Sequence, residues 1–354
     1  MSRVSSANPL HAPSTAVGIS GRSRLGCTPG IRIVSTGAYV PDQIVTNEDL
    51  AALGCDSDWI KRRTGILERR KASESQATSD LAFEAATRCL RSAGVGVEQV
   101  DLILVATITP DHPTPSTACH LQRRLGAVAP AMDLNAACAG FMFGLVSAAQ
   151  FVATGAAKHA LVVGADLMSR IIDPDDKKTY PLFGDAAGAA LLSADSNDEP
   201  ASGLLAYTLG SEGCGGEMLC IPSGGSRQIL SSQGLTEGLQ YLRMDGRGVF
   251  KWAVRVVADS TLDVLAAANL TPADLDLIIL HQANQRIIDS AVADLGVDPE
   301  RVFVNLERYG NTSAASIPLA LDEALAAGKL KRGDHVLLCG FGAGLAWGTA
   351  VLRY

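Results

Sequence analysis

Three side chains in this sequence have types and settings suited to acyl-transfer chemistry: Cys138 in "LNAACAGF", His281 in "HQAN" and Asn311 in "YGNTSAAS". Cys138 reads as the first turn of an uncharged, apolar helix, where the positive end of the macrodipole favours the nucleophilic thiolate. Its small neighbours Ala136, Ala137, Ala139 and Gly140 let a thioester approach closely. A neutral imidazole and a carboxamide can each donate a hydrogen bond to a developing negative charge such as an enolate. Taken singly, each residue has a plainer reading. A free cysteine often only fills space, a histidine after an apolar strand is commonly satisfied by backbone, and an asparagine after glycine suits a turn. Together they describe a nucleophile that forms an acyl-enzyme and two donors that stabilise a second anion. That chemistry requires no metal and no organic cofactor.

An internal repeat supplies the elements that must position these groups. "RSAGVGVEQVDLILVAT" (91–107) resembles "AAANLTPADLDLIILHQ" (266–282), and "MDLNAACAGFMFGLVSAAQFVATG" (132–155) resembles "VNLERYGNTSAASIPLALDEALAAG" (304–328). "ALVVGAD" (160–166) is echoed by "VLLCGFG" (336–342). Offsets near 172 to 176 residues, in constant order, mark a duplicated unit of alternating strands and helices. The strands are continuously apolar, as in sheets covered on both faces. Two α/β halves are therefore expected, about 31–200 and 201–354, packed around a pseudo-two-fold axis. Loops at equivalent strand ends then meet at the junction, where ligand sites prefer to form. Cys138 and Asn311 fall in matching loop-to-helix turns, and His281 ends the strand "LDLIIL".

Composition sets the outer bounds. A chain of 354 residues with 47% hydrophobic content supports a large core, and a net charge of −7 argues against general nucleic-acid affinity. No apolar run reaches the length of a membrane span. The eight cysteines (27, 55, 89, 119, 138, 214, 220 and 339) include no CxxC pair and no zinc-finger spacing, which points to a reducing compartment and a cytoplasmic location. Residues 1–30 hold no Asp or Glu and show no periodicity, so a flexible extension is expected. Its Ser- and Arg-bearing composition leaves an organellar transit peptide, and hence a plastid or other stroma, open as an alternative.

At these residues the sequence resembles the β-ketoacyl-acyl-carrier-protein synthase III family of thiolase-fold condensing enzymes. "DSDWIKRRTGILERR" (56–70), "LNAACAGF", "FGDAAGAALL" (183–192), "HQANQRI" (281–287), "YGNTSAASIPLAL" and "FGAGLAWGTAVL" (341–352) match its motifs in order. The resemblance implies a thiolase-like α/β fold, layered αβαβα. It implies that Cys138 takes an acyl group from acyl-CoA, with an oxyanion hole from the backbone N–H groups of Cys138 and Ala343. His281 and Asn311 then hold the malonyl-carrier-protein thioester during decarboxylation, and the carbanion attacks the acyl-enzyme.

The same resemblance assigns a coenzyme A site to Trp59, Arg63, Thr64, Lys177 and Asn284. Lys177 stands where the family usually has Arg, keeping charge but losing the planar stack. Lys251 and Arg255, four apart on a helix, could join Arg286 in a basic patch for the acidic carrier protein; a solvated face is the alternative. Met168, Phe183, Leu219, Leu242, Met244 and Phe250 match the acyl channel. Thr114 matches a position that closes the channel of a partner subunit in a homodimer, and its small size suggests a primer larger than acetyl. Fatty-acid initiation is the expected function. The alternative is a specialised relative of secondary metabolism that joins other acyl groups or transfers acyl to oxygen or nitrogen. Thiolases use a second cysteine near the final Gly-rich turn, but Cys339 is one residue out of register. Hydroxymethylglutaryl-CoA synthases need a glutamate base, and only Asp111 stands in the matching region. An inactive binding protein is the remaining rival, against which the intact triad argues.

Overall fold

The computed structural model describes residues 23–194 and 202–354. Its strands, in chain order, are β1 (Ser23–Pro29), β2 (Ile31–Tyr39), β3 (Gln43–Thr46), β4 (Glu68–Lys71), β5 (Leu102–Ala106), β6 (Ala131–Leu134), β7 (His159–Leu167) and β8 (Asp185–Ala194). They continue with β9 (Gly203–Ser211), β10 (Leu219–Cys220), β11 (Arg243–Met244), β12 (Leu277–Leu280), β13 (His335–Gly342) and β14 (Ala346–Arg353). One five-stranded sheet has the order β2-β8-β7-β5-β6 and the other β1-β9-β14-β13-β12. β3 pairs with β4 and β10 with β11 in small ribbons.

The helices are α1 (Ser57–Thr64), α2 (Thr78–Ala93), α3 (Thr117–Leu125), α4 (Gly140–Ala153), α5 (Ser232–Thr236), α6 (Gly246–Ala267), α7 (Gln285–Leu295), α8 (Leu306–Tyr309) and α9 (Ser316–Ala326). α4 and α9 touch strands of both sheets, α2 and α3 cover the outside of the first, and α6 the outside of the second. The result is a five-layer αβαβα stack. The sequences fit their layers: α4, "GFMFGLVSAAQFVA", is apolar nearly all round, as a helix buried between two sheets must be. The runs β5 "LILVA" and β12 "LIIL" are buried at every position.

The repeat is visible in the pairing. β9-β14-β13-β12 follows the same order as β2-β8-β7-β5, and an isolated parallel bridge from Ile278 to Val302 takes the place of β6. The halves meet at near-backbone distance. A Cβ on Gly164 of β7 would stand 2.2 Å from the carbonyl oxygen of Ala314, so only glycine lets the α9 turn lie against that strand.

One expectation is corrected. Residues 23–29, assigned to a flexible extension, form β1, which pairs antiparallel with β9 from Ser23–Gly210 to Pro29–Gly203. The edge of β9 carries unpaired backbone groups, and β1 satisfies them. The remainder of the extension, with the transit-peptide reading, lies outside the described residues.

Candidate active site

Cys138 is reached through a strained turn. After β6, Ala137 adopts φ 46°, a left-handed conformation that is rare for a residue with a side chain. Residues 137–139 form a single 3-10 turn ahead of α4, so Cys138 precedes the helix proper. This corrects the expectation of a resting thiolate. Burial pushes the Cys138 thiol up to about 12; the Ser313 hydroxyl opposes this, and the charge of Asp166 adds to it. With that shift the buried sulfur rests as a thiol.

Asp166, at the end of β7, is fully buried and joins the two halves. Its Oδ1 accepts hydrogen bonds from the Thr107 hydroxyl (2.9 Å), the Ile108 N–H (2.8 Å) and the Thr109 hydroxyl (3.0 Å). Its Oδ2 accepts from the Ala314 N–H at 3.2 Å. Burial raises the pKa of this carboxyl, and the bonds from Ile108, Ser313, Ala314 and Thr107 counter the shift.

His281 follows β12, its backbone N–H donating to the Cys339 carbonyl at 2.8 Å. The ring is buried, edge-on to Phe341 with centroids 5.2 Å apart, and Nδ1 lies 2.6 Å from the Ser316 hydroxyl. Burial pulls the imidazole down to about 3, so it is neutral at physiological pH. With the serine hydroxyl donating to Nδ1, the ring proton sits on Nε2, the tautomer that leaves an N–H free for the cavity. Asn311 sits between α8 and α9. Its backbone is pinned at both ends: its N–H donates to the Leu182 carbonyl at 2.8 Å, and its carbonyl accepts from the Gly184 N–H at 3.0 Å. Its Oδ1 accepts from the Ser313 N–H at 2.9 Å, which leaves the amide NH2 as the group that can face the cavity.

Cys138, His281, Asn311 and Ala343 line one cavity of about 160 Å³ together with Met168, Phe183, Leu219, Leu242, Met244 and Phe250. Every acyl-channel residue named from the sequence is thus there except Thr114, which is exposed and stands outside this cavity. A second cavity of about 570 Å³ shares Leu182, Met244, Gly246, Phe250 and Asn284 with the first and forms its mouth. Trp59, Arg63, Thr64 and Lys177 line it, joined by Lys178, Arg247 and Arg286.

The mouth has its own internal ties. The Arg63 guanidinium lies over the Trp59 ring, 5.0 Å from its centre. Asn284 donates to the Arg63 carbonyl at 3.2 Å and accepts from the Arg286 N–H at 2.9 Å, so it caps α7 and fastens it to α1. The Thr64 hydroxyl is spent on backbone, donating to the Ile60 carbonyl at 2.7 Å. Arg286 stacks on Phe250 at 5.6 Å, while Lys251 and Arg255 stand exposed on α6 outside the cavities. The rival residues face elsewhere. Cys339 is buried toward α6 and accepts from the Thr349 hydroxyl at 3.1 Å; Asp111 accepts from the Ser79 N–H at 2.9 Å and from its hydroxyl at 2.6 Å.

Sequence reasoning missed Ser316, Asp166 and Phe341 around the triad, and Arg247 and Lys178 at the mouth. Asp166, Ser316 and Phe341 all stand within the repeated or motif segments quoted above, but nothing in those segments singles them out.

Comparison with known proteins fits this geometry. A family model described as 3-Oxoacyl-[acyl-carrier-protein (ACP)] synthase III matches residues 132–213, and its C-terminal counterpart matches residues 265–354. A Rhodopirellula baltica protein named beta-ketoacyl-[acyl-carrier-protein] synthase III is 69% identical over 345 residues, covering 93% of this chain and 100% of its own. The Symbiobacterium thermophilum protein of that name is 50% identical, covering 92% and 98%. The crystal structure of 3-oxoacyl-[acyl-carrier-protein] synthase III from Aquifex aeolicus superposes with a TM-score of 0.84 at 42% identity, covering 92% of this chain and 100% of that one. With that identity over nearly its whole length, and a cavity lined by Cys138, His281 and Asn311 at the junction of two repeated halves, the chain belongs to the β-ketoacyl-[acyl-carrier-protein] synthase III family of thiolase-fold acyltransferases.

Proposed function

We propose that this enzyme condenses an acyl-CoA primer with malonyl-[acyl-carrier-protein], initiating fatty-acid biosynthesis, with Cys138 as nucleophile and His281 and Asn311 as the decarboxylation pair. The observation that carries the reading is that one cavity holds all three side chains and opens into a mouth lined by Trp59, Arg63, Lys177 and Arg286. The Cys138 sulfur attacks the acyl-CoA carbonyl; a C–S bond forms, the bond to coenzyme A breaks, and the thiol proton leaves with the coenzyme A sulfur. The N–H groups of Cys138 and Ala343 hold the oxyanion. Malonyl thioester then replaces coenzyme A, its carbonyl oxygen held by Nε2–H of His281 and the Asn311 amide. The bond to the carboxylate breaks, its electron pair enters the enolate and carbon dioxide departs. The enolate carbon attacks the acyl carbonyl, and Cys138 leaves as thiolate.

Neutral donors suit this second step, because they stabilise the enolate without protonating it. The mouth cations supply a partner for the coenzyme A phosphates, and Lys251, Arg255 and Arg286 extend a basic face toward an acidic carrier protein. A homodimer belongs to the same reading. β6 is an edge strand, hydrogen-bonded only to β5 among the described residues, with Met132 exposed on it, and a second copy could continue the sheet there. Thr114 would then reach the neighbouring cavity and set the far end of the primer. A cytoplasmic location completes the reading; no described helix is long and apolar enough to cross a membrane.

The test is intact-protein mass spectrometry with acyl-CoAs from acetyl to dodecanoyl, followed by malonyl-carrier protein. An adduct on Cys138 that discharges only with malonyl-carrier protein supports the reading and names the primer. Discharge by other nucleophiles, or no adduct with any thioester, overturns it.

A further inference from the structure

His281 and Asn311 lie on separate segments, yet the proposed decarboxylation needs both donors on one oxygen. A chain of polar side chains, buried at Gln282, Asn305 and Tyr309 and partly exposed at Glu323, joins those segments. Gln282, next to His281, is buried; its Oε1 accepts from the Asn305 N–H at 3.1 Å and its amide donates to the Leu280 carbonyl at 2.7 Å. Asn305 is buried in turn, and its side-chain amide donates to Oε2 of Glu323 at 2.9 Å. The Glu323 carboxylate also accepts from the Tyr309 hydroxyl at 2.6 Å and from both terminal nitrogens of Arg308, at 3.1 and 2.7 Å. Tyr309 is buried and stands two residues before Asn311.

Glu323 belongs to α9, the helix whose first residue, Ser316, meets His281. The two are seven residues apart, so they project from one face of the helix, two turns from each other. One end of that face fixes the imidazole, and the other grips α8 by three side chains just before the Asn311 turn. We propose that Glu323, acting through Tyr309 and Asn305, is a positioning residue that sets where the Asn311 amide stands relative to Nε2 of His281, and so governs malonyl decarboxylation without serving acylation of Cys138. The inference rests on the decarboxylation roles given to His281 and Asn311.

The geometry makes the carboxylate specific. Its four hydrogen bonds all come from donors, and a carboxylate accepts on both oxygens. Glu323→Gln keeps the length but turns one acceptor into a donor facing Asn305 or Arg308. Tyr309→Phe removes only the hydroxyl contact.

The experiment compares wild type, Glu323→Gln, Tyr309→Phe and Asn311→Ala, each as the full chain. It reads Cys138 acylation by acyl-CoA, condensation kcat and KM for malonyl-carrier protein, and carbon dioxide release from malonyl-carrier protein without primer. Displacing a reacting group by a fraction of an ångström to an ångström predicts about a 10- to 100-fold loss of condensation and carbon dioxide release in Glu323→Gln, and a smaller loss in Tyr309→Phe. Acylation and the malonyl KM stay at wild-type values in both. Parallel loss of acylation and condensation means a merely structural role and overturns the inference, as does wild-type condensation in both variants. If Glu323→Gln does not fold, Tyr309→Phe decides alone. If Asn311→Ala fails to separate the two half-reactions, the assigned triad roles fall, and the inference with them; if it separates them while the other variants do not, the inference alone falls.

Discussion

Cys138 and Gly342 face each other across the junction of the two halves, so closely that a Cβ on residue 342 would stand 2.8 Å from the Cys138 Cβ and 3.2 Å from its sulfur. The end of β13 thus forms a wall against Cys138, and glycine leaves the gap through which a thioester carbonyl can lie beside the sulfur.

Gly342→Ala is expected to slow acylation of Cys138 by tenfold or more, in the order of magnitude that one misplaced ångström costs. The added methyl also overpacks the contact, at a cost of about 1–3 kcal/mol in stability. Rates of adduct formation by mass spectrometry and a denaturant titration check both effects; unaltered acylation in a folded variant would contradict the geometry.

Ser316→Ala removes the hydroxyl that lies 2.6 Å from Nδ1 of His281. Condensation is expected to fall about 10- to 100-fold, less than the roughly 100- to 10,000-fold that a positioned acid–base group contributes because the imidazole itself remains, while acylation continues. Nitrogen-15 shifts of the imidazole report the tautomer directly: Nε2 protonated in wild type and mixed in the variant.

His281 gives a pH prediction with a definite sign. The folded ring is held down to about 3, below the ordinary 6.5, so below pH 6.5 the unfolded chain takes up a proton that the native chain refuses. Its contribution to stability is complete above pH 6.5 and is lost as pH falls toward 3, at up to about 1.4 kcal/mol per pH unit. Urea unfolding of wild type and His281→Asn between pH 7 and 4 should show the gap between the two narrowing by that slope as pH falls. The neutral ring also predicts no loss of condensation from His281 protonation between pH 5 and 8.

Trp59→Ala takes away the ring beneath Arg63 at the cavity mouth. We expect the KM for acyl-CoA to rise about tenfold with kcat little changed, the pattern of lost uniform binding. Steady-state kinetics against acyl-CoA at saturating malonyl-carrier protein measures it, and an unchanged KM would remove Trp59 from the binding site.

What the sequence revealed depended on how each feature is encoded. The halves were legible because a duplicated unit repeats its order and its apolar strands, and the wrong facing of Cys339 followed from strand alternation alone. Cys138, His281 and Asn311 were legible because they close elements of that repeat. The mouth residues were not: Trp59, Lys177 and Asn284 come from distant segments with no shared period, and only resemblance joined them, while Arg286 was expected in the basic patch with Lys251 and Arg255 and lines the mouth instead. β1 was hidden because "SRLGCTP" is a short edge strand interrupted by glycine and ending in proline, whose partner lies more than 170 residues away. Asp166 and Ser316 were hidden because a buried hydrogen bond depends on distance in space.

The two turns that open α4 and α9 carry the same backbone strain, Ala137 at φ 46° and Ser313 at φ 52°, each on a residue where glycine would be easier. Gene duplication accounts for two such elbows, and their present uses have diverged. In the first half the elbow carries Cys138 to the wall of the cavity; in the second it turns the Ala314 N–H inward to Asp166 of the first half, at 3.2 Å. A shape present twice thus has two uses: in the proposed reaction one copy supplies the reacting atom, and its twin is the latch that ties the halves together around it.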